Sequence, residues 1–262
     1  MRATGQRRVV ILAVALAGVA LAWGEGGPAR GTVTAGQAVA VPAYFDPGPG
    51  WARLDRADPT VGLVVMNPDN GPGAARQADY VAAVRAAEAA GITVVGYVYT
   101  SYGRRSPGAV EADVDAYYRW YGVDGIFFDE ASTACADEPY YATLRGYVQA
   151  EGGTAMTILN PGTATSQCYM AAADVLLTFE GSYRQYVRSY SAPAWVAQYP
   201  PDRFWQIVYG AGSAVELARA VALSRERGAG YLYVTPERLP NPYRGLPRAG
   251  YWKDELVAVG AG

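Results

Sequence analysis

The sequence contains no histidine. That absence removes Ser-His-Asp and Cys-His nucleophile systems, imidazole-based zinc sites and histidine acid–base catalysis. Cysteine is nearly as scarce, and two residues cannot build a Cys₄ zinc or iron–sulfur centre. Net charge is close to zero, at −2, so no electrostatic argument points to nucleic acid. Charged residues make up 18% of the chain against 51% hydrophobic, which is too apolar for a disordered polymer. A dinucleotide fingerprint, a P-loop and a nucleophile elbow are all missing, and no cofactor is expected. Chemistry must therefore run on carboxylates, tyrosines, hydroxyls, amides or the basic residues.

What is present begins with Arg2, Arg7 and Arg8, followed by an uncharged apolar run from Val9 to Trp23. A basic stretch before a short apolar one reads as a secretory signal over residues 1–22, with Ala20-Leu21-Ala22 as the cleavage site. The competing reading is an uncleaved anchor, although the run is short against the roughly 20 residues that span a bilayer. Residues 23–37 read as a flexible lead-in and 38–262 as one domain, expected as an extracytoplasmic monomer. Export permits a Cys135–Cys168 disulfide, whose loop closure would contribute about 3–4 kcal/mol.

From residue 38 onward, short β-branched or aromatic runs alternate with Ala/Arg/Glu-rich stretches of helical spacing. Strands are expected at Ala38–Tyr44, Gly62–Met66, Thr93–Tyr99, Gly125–Phe128, Thr154–Leu159, Val175–Phe179, Trp205–Tyr209 and Tyr231–Val234. Helices are expected at Ala78–Ala90, Val110–Tyr121, Glu138–Ala150, Gln167–Ala173, Tyr183–Tyr190 and Ala214–Arg227. Gly91 and Gly228 suit left-handed C-caps, and Ser213 suits an N-cap. Strands of this kind, mostly separated by helices, imply a parallel α/β sheet closed as a single (β/α)8 TIM-type barrel.

In such a barrel, chemistry sits at the C-terminal strand ends. The fourth strand ends in Asp129-Glu130, and the sixth runs through Phe179 to Glu180. Carboxylates after apolar strands are costly unless paired or used. Across one barrel mouth they form the acid pair that glycosidic-bond hydrolysis requires. If Asp129 continues the inward face of its strand it is the ionised nucleophile or stabiliser and Glu130 lies on the rim, whereas a twist or bulge at the strand end exchanges the two. Glu180, following Phe179, is expected to carry the raised pKa of the general acid. Asn67 and Asn160 begin Asn-Pro turns that also suit sugar hydroxyls, with turn initiation as the plainer reading. Twenty-one tyrosines and six tryptophans against five phenylalanines suit a wet, sugar-stacking groove, with Tyr44, Tyr97, Tyr99 and Trp205 as candidates. A hard-cation site on Asp129, Glu130 and Glu180 would lean heavily on water and is not favoured.

These residues carry a resemblance. Tyr44, Asn67-Pro68 through Gly73, Gly96-Tyr97-Val98 through Gly103, Tyr121 through Glu130, Asn160-Pro161-Gly162 and Thr178-Phe179-Glu180 are similar to the pattern of spherulation-specific family 4, in order, over about residues 38–236. The resemblance implies a (β/α)8 glycoside hydrolase fold, with fungal relatives that cleave exopolysaccharide containing N-acetylgalactosamine. It also implies that the acids tied to activity fall on Asp129, Glu130 and Glu180. The chain departs in its short lead, its cysteine pair, and Tyr99 where the family often has histidine. The expected activity is an exported, endo-acting glycosidase on an amino-sugar polysaccharide. A catalytically silent carbohydrate-binding barrel at the cell surface, or an anchored structural protein, are the alternatives.

Overall fold

The structure, a computed structural model, describes residues 36–57 and 60–261. The readings made for residues 1–22 and for 23–35 lie outside the described residues. Eight strands close into a barrel in chain order: β1 (Ala38–Ala43), β2 (Val61–Met66), β3 (Thr93–Tyr99), β4 (Gly125–Asp129), β5 (Met156–Leu159), β6 (Val175–Ser182), β7 (Phe204–Tyr209) and β8 (Tyr231–Thr235). Every neighbouring pair is parallel. The helices are α1 (Trp51–Leu54), α2 (Ala78–Ala89), α3 (Pro107–Tyr121), α4 (Glu138–Glu151), α5 (Tyr183–Arg188), α6 (Ala214–Glu226) and α7 (Ala249–Gly260). The (β/α)8 architecture read from the strand pattern is the observed one. Among the described residues, no helix is long and apolar enough to cross a membrane.

Local chemistry explains most of the element ends. Ser213 caps α6 through a capping box with Glu216. Gly122 ends α3 in the left-handed conformation, where its N–H takes two α3 carbonyls. Gly125 opens β4 because a Cβ there would lie 2.2 Å from the Met156 carbonyl oxygen, so β4 and β5 approach more closely than a side chain allows.

Two expected elements change, and helices α1 and α7 were not among those expected. The segment Gln167–Ala171 forms only a 3₁₀ turn rather than a helix to Ala173. Strand β6 does not stop at Phe179 but runs to Ser182, with a register shift between Leu177 and Phe179. Glu180 therefore sits inside a strand and not beyond its end. The C-terminal helix α7 escaped the sequence reading altogether.

Helix α7 matters for closure. Strands β1 and β8 pair only at Ala38↔Tyr231 and Val39↔Leu232. Above that point, Glu255 of α7 accepts the Val234 N–H at 2.7 Å. Its carboxyl is fully buried, and burial raises its pKa well above the ordinary value of 4.5 despite that hydrogen bond. A folded pKa above the unfolded one means its stabilising contribution is complete below 4.5 and is lost as pH rises. Glu255→Gln keeps an acceptor and removes the ionisation, so its Tm should match wild type near pH 4 and exceed it at pH 8. Glu255→Ala leaves the amide unpaired beside a void and should cost about 2–4 kcal/mol. Thermal melts across this range check both, and a Glu255→Gln disadvantage that grows with pH would contradict the assignment.

Candidate active site

Strands β4, β5 and β6 are neighbours, so their C-terminal ends place Asp129, Asn160 and Glu180 side by side. Asn160 follows β5 and is pinned to β4 by backbone bonds on both sides. Its N–H donates to Phe128 O at 2.9 Å, and its carbonyl accepts from Ala131 N–H at 2.9 Å. Its side-chain oxygen accepts from Gly162 N–H at 2.8 Å, which fixes the amide so that Nδ2 faces the acids. That one nitrogen donates to Asp129 Oδ1 at 2.9 Å and to Glu180 Oε2 at 2.7 Å. The two carboxylate oxygens are therefore no more than 5.6 Å apart, the most that two such bonds to one atom allow.

The outer oxygens are held by tyrosines. Tyr97 OH donates to Asp129 Oδ2 at 2.8 Å, and Tyr243 OH to Glu180 Oε1 at 2.7 Å. Tyr44 stands edge-on to both rings, with centroids 5.4 and 5.7 Å away. Burial, the largest cause, together with the neighbouring acids raises the pKa of Tyr44, Tyr97 and Tyr243, so all three stay protonated.

Asp129 is pushed up to about 6 from 3.8. Burial is the first cause and the Glu180 charge the second, and together they outweigh the Tyr97 hydrogen bond. The sequence reading looked for a raised carboxyl at Glu180, and the structure shows one at Asp129. The alternation argument itself holds: Phe127, below Asp129, stacks on Tyr97 at 6.1 Å inside the barrel. Facing inward is what buries the Asp129 carboxyl, and that burial is the first cause of its raised pKa.

The cleft over these acids has a volume of about 330 Å³ and is lined by Asp129, Glu130, Asn160 and Glu180 together with Tyr102, Tyr209 and Leu239. Glu130 leaves the strand at φ 48 and reaches the cleft without joining the Asn160 bridge. The sequence reading missed Tyr102, Tyr209, Leu239 and Tyr243. Tyr209 ends β7 and was findable by the same strand-end rule as Asp129. Tyr243 lies in the irregular stretch after β8, where its N–H is held by Asn241 Oδ1 at 2.9 Å, and no local pattern marks it.

Other candidates lie elsewhere. Trp205 is fully buried and packs against Phe127 at 5.6 Å, so it is barrel core and not groove. The reason is position: β7 begins at Phe204, which puts Trp205 at the strand end away from the mouth. Asn67 closes a turn, its Oδ1 accepting from Gly71 N–H at 3.0 Å. Tyr99 carries the Arg105 guanidinium 4.1 Å from its ring and takes no hydrogen bond in the acid cluster. Cys135 and Cys168 are joined, tying the turn after β4 to the turn after β5. Among the described residues, no group of three or more acids or cysteines is arranged to hold a metal ion.

Comparison with known proteins gives the family and the fold. The family model of spherulation-specific family 4 matches residues 38–259, and the chain belongs to that family. It is 36% identical over 160 residues to spherulin-4 of Physarum polycephalum, covering 60% of this chain and 48% of that protein, so it spans about half the relative's length. In structure it is similar to Aspergillus clavatus Sph3, solved in complex with GalNAc, with a TM-score of 0.76 at 24% identity over 86% of this chain and 97% of that one. It is also similar to a chitinase from Chromobacterium violaceum, with a TM-score of 0.54 at 14% identity over 84% and 99% of the two chains. At these identities the solved structures speak to fold alone.

Since the Glu180 charge is the second cause holding Asp129 up, Glu180→Gln should lower the Asp129 midpoint from about 6. Carboxyl-carbon NMR titration of wild type and variant reads this directly. An unchanged or higher midpoint would show that the two acids are not coupled.

Proposed function

We propose that this member of spherulation-specific family 4 is an exported, endo-acting glycoside hydrolase on an N-acetylgalactosamine-type exopolysaccharide, and that it works by double displacement with retention. The observation that supports this reading is the shared Asn160 nitrogen, which keeps one oxygen of each acid within 5.6 Å of the other and so short of the wide gap an inverting pair needs. Retaining glycosidases hold their carboxyls about 5–5.5 Å apart, whereas inverting ones leave about 6.5–9.5 Å for a water. Asp129, with a pKa near 6, is the proton donor. It gives its proton to the glycosidic oxygen as Glu180 attacks the anomeric carbon, and the bond to the leaving sugar breaks. A water then attacks the same carbon, returns a proton to Asp129 and frees the Glu180 carboxylate. Tyr243 and Asn160 hold Glu180 at a fixed angle throughout, which is the positioning that effective molarity requires.

The amino-sugar class is supported by the GalNAc found with Sph3, whose fold spans most of this chain. Export is supported by the joined cysteines and by the basic-then-apolar N-terminal sequence.

Reducing-end release from purified N-acetylgalactosamine polymer tests the reading. Asp129→Asn and Glu180→Gln should each lose at least about two orders of magnitude in kcat. Substrates with very good leaving groups should spare Asp129→Ala, and azide should rescue Glu180→Ala. Because the acid must be protonated, kcat/KM should fall as pH rises above about 6. A wild-type protein that binds the polymer without cutting it would be the silent binding barrel instead.

A further inference from the structure

The aromatic rings around the acids are largely covered by protein, but Tyr102 is not. It is 50% exposed and lines the same cleft as Asp129, Glu130 and Glu180. Its backbone is left-handed at φ 58, between Ser101 at φ 49 and Gly103 at φ 79. Two consecutive non-glycine residues in that region are unfavourable for L side chains and persist only where surrounding bonds enforce them. Those bonds are present. Tyr102 N–H donates to Glu130 O at 2.6 Å, and Thr100 Oγ1 donates to the same oxygen at 2.8 Å. Behind the turn, Arg105 donates to Tyr99 O at 2.8 Å and pairs with Asp113 at 2.8 Å.

The loop after β3 is thus fastened to the residue next to Asp129, which is itself left-handed at φ 48. Each strained segment holds the other. The product of this strain is the fixed placement of one ring, with the Arg104 guanidinium 5.5 Å from its centre. A tyrosine presented this way offers a flat apolar face with a polar tip, the form suited to the C–H face of a pyranose.

We propose that Tyr102 is the platform on which one sugar unit of the substrate stacks beside the cleavage point. The platform favours galacto-configured rings, whose axial 4-hydroxyl leaves the hydrogens on C3, C4 and C5 together on the opposite face. The proposal rests on the glycosidase reading above and adds a specificity-determining residue to it.

Binding without turnover separates the two. In an Asp129→Asn background, a tetrasaccharide of N-acetylgalactosamine and its gluco-configured counterpart are titrated by calorimetry against Tyr102, Tyr102→Gly and Tyr102→Phe proteins. Glycine adopts the left-handed backbone without strain, so Tyr102→Gly keeps the loop and its Tm while deleting the ring. It should bind the galacto tetrasaccharide about tenfold more weakly or worse, the weight of one lost stacking contact, and should lose most of the galacto-over-gluco preference. Tyr102→Phe should keep both. Unchanged affinity in Tyr102→Gly, or an equal loss in Tyr102→Phe, overturns the platform while leaving the glycosidase reading intact. No binding of either sugar by the Asp129→Asn parent overturns that reading and the platform with it.

Discussion

One side-chain nitrogen organises this molecule's mouth. Asn160 Nδ2 has two hydrogens and spends one on each acid. Two ionised carboxylates within 5.6 Å would repel by about 3 kcal/mol at an effective dielectric of 20. The amide reduces that repulsion without adding a charge, and what is left of it adds to the burial that is the first cause of the raised Asp129 pKa. A lysine in the same place would have neutralised the pair and depressed both acids. The barrel's order explains why the amide comes from β5: it is the strand between the two that carry the acids. Much of the nearby backbone bonding, from Phe128 O to Ala131 N–H, serves to keep that side chain still.

The absence of histidine acquires a meaning here. In its place, the groups that orient the acids are tyrosines, and burial keeps Tyr97 and Tyr243 protonated far above neutral pH. They donate hydrogen bonds but do not exchange protons in the working range. Within this cluster Asp129 has its pKa raised to about 6, close to neutrality. An imidazole at either tyrosine position would add a second titration in the same range and blur the division of roles.

Legibility in the sequence followed the range of the interactions involved. The strands and most helices were readable because their signals are local: apolar period, caps and breakers. Asp129, Asn160 and Glu180 were readable because strand order, inferred from those local signals, carries strand ends to one mouth. The raised pKa of Asp129 was not readable, because it depends on burial and on the Glu180 charge, which other strands bring to it. Trp205 was misplaced for a related reason, since its height in the barrel depends on where β7 begins, and an aromatic run does not show that boundary. Tyr243 reaches Glu180 across 63 positions from an irregular segment, and helix α7 shows its purpose only through a seam that β1 and β8 leave unpaired.

Two buried carboxyls in this chain respond to the same physics and end with different uses. Glu255 and Asp129 both sit where water is scarce, and in both cases burial is the first cause of a raised pKa. Glu255 is fully covered, and its Oε1 takes the Val234 N–H at the β1–β8 seam, so its proton has no route to a ligand. Asp129 lines an open cleft, and its neighbour across Asn160 is a second acid that also faces the cleft. A perturbed pKa therefore identifies function only when joined to access and to a partner at chemical distance. By that standard the two carboxyls separate cleanly: one closes the barrel, and the other faces what enters it.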